Sequence, residues 1–278
     1  MNQKIGFYTP PLPSMRSYRA TVDAAAEYGV SAVEALNIYE FATPDLEVAR
    51  EMRAYADSKN VQFSCFSVFC NLVGDGAEQA IEKVKAYVDV AAVLGSPYVH
   101  HTIVCETEFP EKILPFQKEY FEQGVHAVRE IYDYAQERGI KTIFEDQGYL
   151  FNGVKNFRRF LNEVDRDIGV VADFGNIAQA GENIIDFLKA FLPYVRHVHI
   201  KDVIVKDEGC GKGCLKTLDK RFMYEVPLGE GEVPMKEAVA MLQAAGYNGF
   251  YSLESRGQTD DSSEIVKMLR FATDLIGA

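Results

Sequence analysis

Four short apolar runs in the second half of the chain each end on a side chain able to bind a metal. They are KTIFED with Glu145, GVVADFGN with Asp173, RHVHIKD with His199 and FYSLES with Glu254. Three carboxylates and one imidazole suit a hard or borderline divalent cation, Mn²⁺ first, with Mg²⁺, Co²⁺ or Zn²⁺ as alternatives. Such an ion serves chemistry at a carbonyl or hydroxyl carbon. Taken singly, each residue has a plainer reading. Glu145 closes an apolar run and needs a partner, which an ordinary ion pair would supply. Asp173 is a common turn or cap residue, and a lone histidine is most often a satisfied core residue. Repetition over four successive strand ends favours one shared site.

Further polar residues fall in or beside the same kind of run. His197 and His199 share a strand face by alternation, and His199 lies nearer the C-terminal end. Lys201 continues that face and could bind a substrate oxygen or stabilise an enolate. Asp202 points the other way, to fix Lys201 or start the following loop. Asn176, three residues after Asp173, could bond a substrate hydroxyl or simply form a turn. Glu34 in SAVEALN could bind a substrate hydroxyl or brace the site from behind. His100 and His101 must face opposite ways; His101, nearer the strand end, is the one expected to point inward and meet substrate. Cys65, Cys70 and Cys105 lie near the ends of two other strands. Cys210 and Cys214 form a C-x₃-C pair, a weak zinc signal without a second pair.

The elements that must position these residues alternate along the whole chain. Strand-like runs fall at Ile5–Thr9, Ala32–Asn37, Gln62–Val68, Tyr98–Val104, Thr142–Glu145, Gly169–Asp173, His197–Lys201 and Phe250–Glu254. Segments with helical apolar spacing lie between them, as in Ala80–Leu94. Several of these stop at a glycine, such as Gly29, Gly95, Gly139 and Gly246. Eight βα units in 278 residues predict an α/β fold, a (β/α)₈ TIM barrel forming a single domain over 1–278, with the site at the C-terminal ends of the strands. No G-x-G-x-x-G follows the first strand, which argues against a dinucleotide fold. Val203–Val233 is long for a βα loop and is expected to be irregular, a candidate lid over the mouth.

The formal net charge of −12 repels phosphate backbones and anionic lipid, and no Lys/Arg cluster offsets it. Neither nucleic acid nor membrane is an expected partner. The opening MNQKIGFYTPP lacks the apolar core of a signal peptide. No apolar run is long enough to span a bilayer. Five cysteines, an odd number, read as reduced thiols of a cytoplasmic protein.

The Glu145, Asp173, His199 and Glu254 series, the HVHIKD segment and LGEGEVPMKEAVAMLQAAGYNGFYSLE resemble the xylose isomerase-like TIM-barrel superfamily over nearly the whole chain. The resemblance implies one divalent metal held by two Glu, one Asp and one His. In the ketose 3-epimerase branch the two glutamates also move protons, which implies that Glu145 and Glu254 are an acid/base pair. Three positions depart from that branch. Asn176 stands where it has a His, Val205 where it has an Arg, and Phe151 where it has a second Glu. The abasic-site endonucleases of this fold need extra histidines after strand seven, and Val203–Val233 contains none.

The expected function is a metal-dependent epimerase or isomerase of a sugar or ketosugar, working through an enediolate. The alternatives are a dehydratase or lyase of a keto-sugar, keto-inositol or 3-keto-glycoside, and a catalytically silent sugar-binding barrel. Members of the family are often dimers or tetramers, so a homo-oligomer is compatible with the resemblance.

Overall fold

The computed structural model describes residues 4–104, 110–209 and 213–277. In chain order the elements are β1 (Ile5–Phe7), α1 (Tyr18–Glu27), β2 (Ala32–Leu36), α2 (Leu46–Ser58), β3 (Gln62–Val68), α3 (Ala77–Leu94), β4 (Tyr98–His101), α4 (Pro110–Ile113) and α5 (Gln117–Gln136). They continue with β5 (Lys141–Glu145), α6 (Val154–Val164), β6 (Gly169–Asp173), α7 (Ile184–Phe191), β7 (Val195–Ile200), β8 (Asp202–Lys206), β9 (Cys214–Lys216), β10 (Phe222–Val226), α8 (Met235–Ala244), β11 (Tyr251–Leu253) and α9 (Ser263–Gly277).

Strands β1 to β7 and β11 close into a parallel barrel, the predicted (β/α)₈ architecture. The closing strand β11 is three residues long and pairs with β7 on one side and β1 on the other. Alternation divides every strand between two environments. Outward residues such as Phe66, Val99, Phe144 and Val170 join the large core beneath the helices. In that layer Phe157 and Phe160 of α6 pack with Phe187 and Phe191 of α7. Burying each such ring contributes about 1.5–3 kcal/mol. Inward, Cys65, Ile143 and Val171 form a small apolar layer with Tyr98. Two residues further along each of these strands come Ser67, Glu145, Asp173 and His100, so the barrel interior turns polar towards its mouth.

The segment Val203–Val233 differs from the irregular loop expected. It contains most of a second sheet, three antiparallel strands in the order β8-β10-β9. The β-branched run Val203, Ile204, Val205 pairs with Glu225, Tyr224 and Met223, which satisfies backbone groups along that side of the strand. Asp202 ties the returning chain to the barrel. Its Oδ2 accepts from the amides of Gly229 and Gly231, both at 2.9 Å. A side chain at Gly231 would collide with Asp202, so only glycine fits that turn.

Cys65 is a free thiol, whereas Cys214 is disulfide-bonded, which corrects the all-reduced expectation. Cys105 and Cys210 lie outside the described residues. Among the described residues, no helix is long and apolar enough to cross a membrane.

Candidate metal centre

Each of β5, β6, β7 and β11 delivers one residue to a single point in the barrel mouth. His199 Nδ1 lies 3.3 Å from Glu145 Oε2, 3.6 Å from Asp173 Oδ2 and 3.2 Å from Glu254 Oε2. These same four atoms are buried and lack a hydrogen-bond partner among the described residues. Buried polar atoms are nearly always satisfied, so four orphans converging from four strands need a common partner. All their donor atoms lie within 4.8 Å of one another. One divalent cation fits this set, because it satisfies all four at once and offsets two carboxylate charges.

The opposite edge of His199 is already engaged. Both oxygens of Glu34 lie 3.2 Å from His199 Nε2. Glu34 also meets His197 Nε2 at 2.7 Å and accepts from Ser67 Oγ at 2.6 Å. Glu34, His197 and His199 could also be read as a ligand trio, but their facing atoms bond one another. Glu34 is fully buried and its oxygens are engaged by His197, His199 and Ser67, which supports the bracing reading over the substrate-binding one. Burial would raise the Glu34 pKa, yet His199 and His197 hold it well below the usual carboxylate range. Burial would likewise lower His199, but Glu34, Asp173, Glu145 and Glu254 hold it well above its ordinary value.

Lys201 sits over the carboxylates. Its Nζ is 2.5 Å from Glu254 Oε1, 3.5 Å from Asp173 Oδ2 and 3.6 Å from Glu225 Oε1 on β10. It also donates to Asn176 Oδ1 at 3.1 Å. One lysine cannot stabilise two buried carboxylates equally. Asp173 is held far below its usual range by Lys201 and His199, against the effect of burial. Burial, reinforced by Asp173, pushes Glu254 the other way. Of the pair, Glu254 is the one pushed towards its protonated form. Asn176 occupies a 3₁₀ turn whose amide donates to Asp173 Oδ1 at 2.7 Å. Its side-chain Nδ2 has no partner among the described residues.

The two adjacent histidines fall opposite to expectation. His100 faces inward, with Nε2 3.5 Å from Glu145 Oε1 and its ring 6.0 Å from that of His199. His101 faces outward, edge-on to Phe144 at 4.6 Å, with Nδ1 3.0 Å from the Thr102 carbonyl. Strand phase decides this: Val99 belongs to the outer core, so His101, two residues on, shares its face.

Two neighbours were not foreseen. Tyr8, just past β1, packs edge-on against His199 with ring centres 4.9 Å apart. Asp146 is fully buried and neither of its oxygens has a partner among the described residues. Burial, reinforced by Asp173, pushes its pKa well above the usual range. The Glu145-Asp146 doublet closing an apolar run was the available signal.

Residues 22–274 match a known family, the xylose isomerase-like TIM barrel. The chain belongs to that family. Among curated relatives, the inosose dehydratase of Geobacillus thermodenitrificans is 24% identical over 261 residues, spanning 88% of this chain and 84% of the relative. A xylose isomerase domain protein from Planctomyces limnophilus superposes with a TM-score of 0.77 at 20% identity, covering 98% of this chain and 97% of that one. The IOLI protein, solved with a binding zinc atom, gives a TM-score of 0.74 at 18% identity, over 99% and 98% of the two chains. Solved ketose 3-epimerases share the fold as well.

Within this xylose isomerase-like family, two of the positions that depart from the epimerase pattern are apolar by construction. Phe151 stacks on Phe121 at 5.4 Å and packs against Phe160 at 5.0 Å. Val205 lines a surface groove with Phe174 and Ile177. Neither can give a sugar the polar contact that the epimerase pattern supplies there.

Proposed function

We propose that the protein is a divalent-metal-dependent dehydratase of a keto-cyclitol or keto-sugar. The observation that carries this reading is the convergence of unpaired Glu145, Asp173, His199 and Glu254 atoms on one point. The named activity of the dehydratase relative and the apolar Phe151 and Val205 favour dehydration over the epimerisation first expected. Glu145, Asp173, His199 and Glu254 would hold the ion, with the zinc-binding IOLI structure supporting a metal in this fold.

The bound ion supplies Lewis-acid stabilisation of negative charge developing on the substrate's carbonyl oxygen. The chain supplies the proton transfers. A carbon next to the carbonyl loses its proton to Glu145. The neighbouring C–O bond breaks, a C=C bond forms, and the departing hydroxide takes a proton from Glu254 and leaves as water. Burial favours the protonated form of Glu254. Lys201 holds positive charge beside both Glu254 and Asp173. Asn176 has a free Nδ2 with which to orient a substrate oxygen.

The deciding experiment incubates metal-loaded protein with inosose in D₂O under NMR. An unsaturated product with loss of water is expected. Deuterium entering the substrate with no unsaturated product would move the assignment to an epimerase.

A further inference from the structure

We infer that His100 is a substrate-binding residue whose Nε2 accepts a hydrogen bond from a substrate hydroxyl, its tautomer being set by Ser67 and Glu34. This deepens the dehydratase reading and rests on it for the substrate class, a polyhydroxylated ring.

His100 is 2% exposed. Its Nδ1 lies 3.1 Å from Ser67 Oγ. A serine hydroxyl has one hydrogen to give. Here it goes to the Glu34 carboxylate, at the shorter distance of 2.6 Å. The oxygen of Ser67 therefore accepts from His100, which places the ring proton on Nδ1. The other nitrogen, Nε2, is left with a lone pair and no partner among the described residues.

That lone pair does not face solvent or core. It faces Glu145 Oε1 at 3.5 Å, and an acceptor opposite a carboxylate oxygen gains nothing by itself. A donor brought to this point satisfies the His100 nitrogen, which has no other partner among the described residues. A cavity lined by His100, Glu145, Gln147 and Tyr149 opens beside them, with about 20 Å³ free for a water-sized group. Room of that order admits roughly one water, and so one hydroxyl. Glu34 thus sets two histidines in opposite senses. It takes the Nε2 proton of His199, freeing Nδ1 towards the carboxylates, and through Ser67 it frees Nε2 of His100.

The test uses ¹⁵N-histidine NMR on full-length protein loaded with Zn²⁺, titrated with myo-inositol. The chain has 5 histidines, and His100→Gln assigns the relevant signals. His100 should show a protonated Nδ1, and its Nε2 signal should move on adding myo-inositol. Ser67→Ala should replace the single tautomer with a mixture while metal content stays at wild type. His100→Gln should keep its metal and lose about 10- to 100-fold in kcat/KM.

A protonated Nε2 in wild type, or an Nε2 signal indifferent to myo-inositol, would overturn the inference. So would loss of metal from His100→Gln, because that residue would then be a ligand. If wild type dehydrates inosose and His100→Gln matches it, this inference fails and the proposed activity stands. If myo-inositol moves the His100 signal and no keto-cyclitol is dehydrated, the reverse holds.

Discussion

Glu34 and His199 meet at 3.2 Å through both carboxylate oxygens, although they lie on strands at distant points of the sequence. The contact fixes which nitrogen of His199 is free. Glu34→Gln keeps the shape but can present its amide –NH₂ to Nε2 instead of an acceptor. Metal affinity should fall about 10- to 100-fold. Competition against a chelator measures this; an unchanged affinity would show that Glu34 does not act through His199.

Metal removal gives a second expectation. Stripped protein should rebind one divalent ion per chain, and Asp173→Asn or His199→Ala should abolish that stoichiometric binding. At a metal concentration 100-fold above Kd, loading should add about 2.7 kcal/mol of stability, seen as a rise in Tm. Elemental analysis together with thermal melts reports both quantities.

Acidity should distinguish the stripped and loaded forms. Glu254 is pushed up to about 8 from an ordinary value of 4.5 by burial and Asp173. A carboxyl raised on folding favours the protonated native state. Its contribution is complete below the unfolded value and is lost as pH rises through about 8. His199, also raised, acts in the same direction. The stripped protein should therefore lose Tm as pH rises from about 4.5 to about 8. The loaded protein should lose less, because the cation takes the place of the His199 proton, and loading should release protons measurable by calorimetry in two buffers.

Glu254→Gln removes the carboxyl proton but not the bulk. Turnover of inosose should fall by about 10²- to 10⁴-fold. Loss of water from the substrate should slow along with it. A variant with wild-type turnover would remove Glu254 from the proton transfers.

Asp202 predicts an effect on structure away from the chemistry. Its carboxylate accepts from Gly229 and Gly231 and is itself buried. Asp202→Ala leaves those amides without their charged acceptor and should cost about 1.5–3 kcal/mol per bond lost. Hydrogen exchange should accelerate at the Gly229 and Gly231 amides before the barrel strands change.

The barrel and the four strand-end residues were legible because they follow from local rules. Periodicity placed β3 and β6 at their observed bounds, and apolar runs closing on Glu145, Asp173, His199 and Glu254 marked the mouth. His101 was misjudged because closeness to the mouth is not the same as facing it. Strand phase is set by which neighbour joins the outer core, here Val99. Glu34 was ambiguous for a different reason. A buried carboxylate at a strand centre is explained only by the histidines that reach it across the barrel, and no local pattern shows contacts 163 and 165 residues apart. The three-stranded sheet was hidden by the glycines and charges of its turns, which made the segment read as irregular.

The short strand β11 closes the barrel and is followed at once by Glu254. A ribosome making this chain therefore releases the other three residues of the proposed metal centre, and most of the fold, before the last one exists. Until residues 251–253 slot between β7 and β1, an emerging chain holds an incomplete ligand set. On the proposed reading, tight capture of an ion then requires barrel closure, and a product terminated before residue 254 would be poor at holding metal.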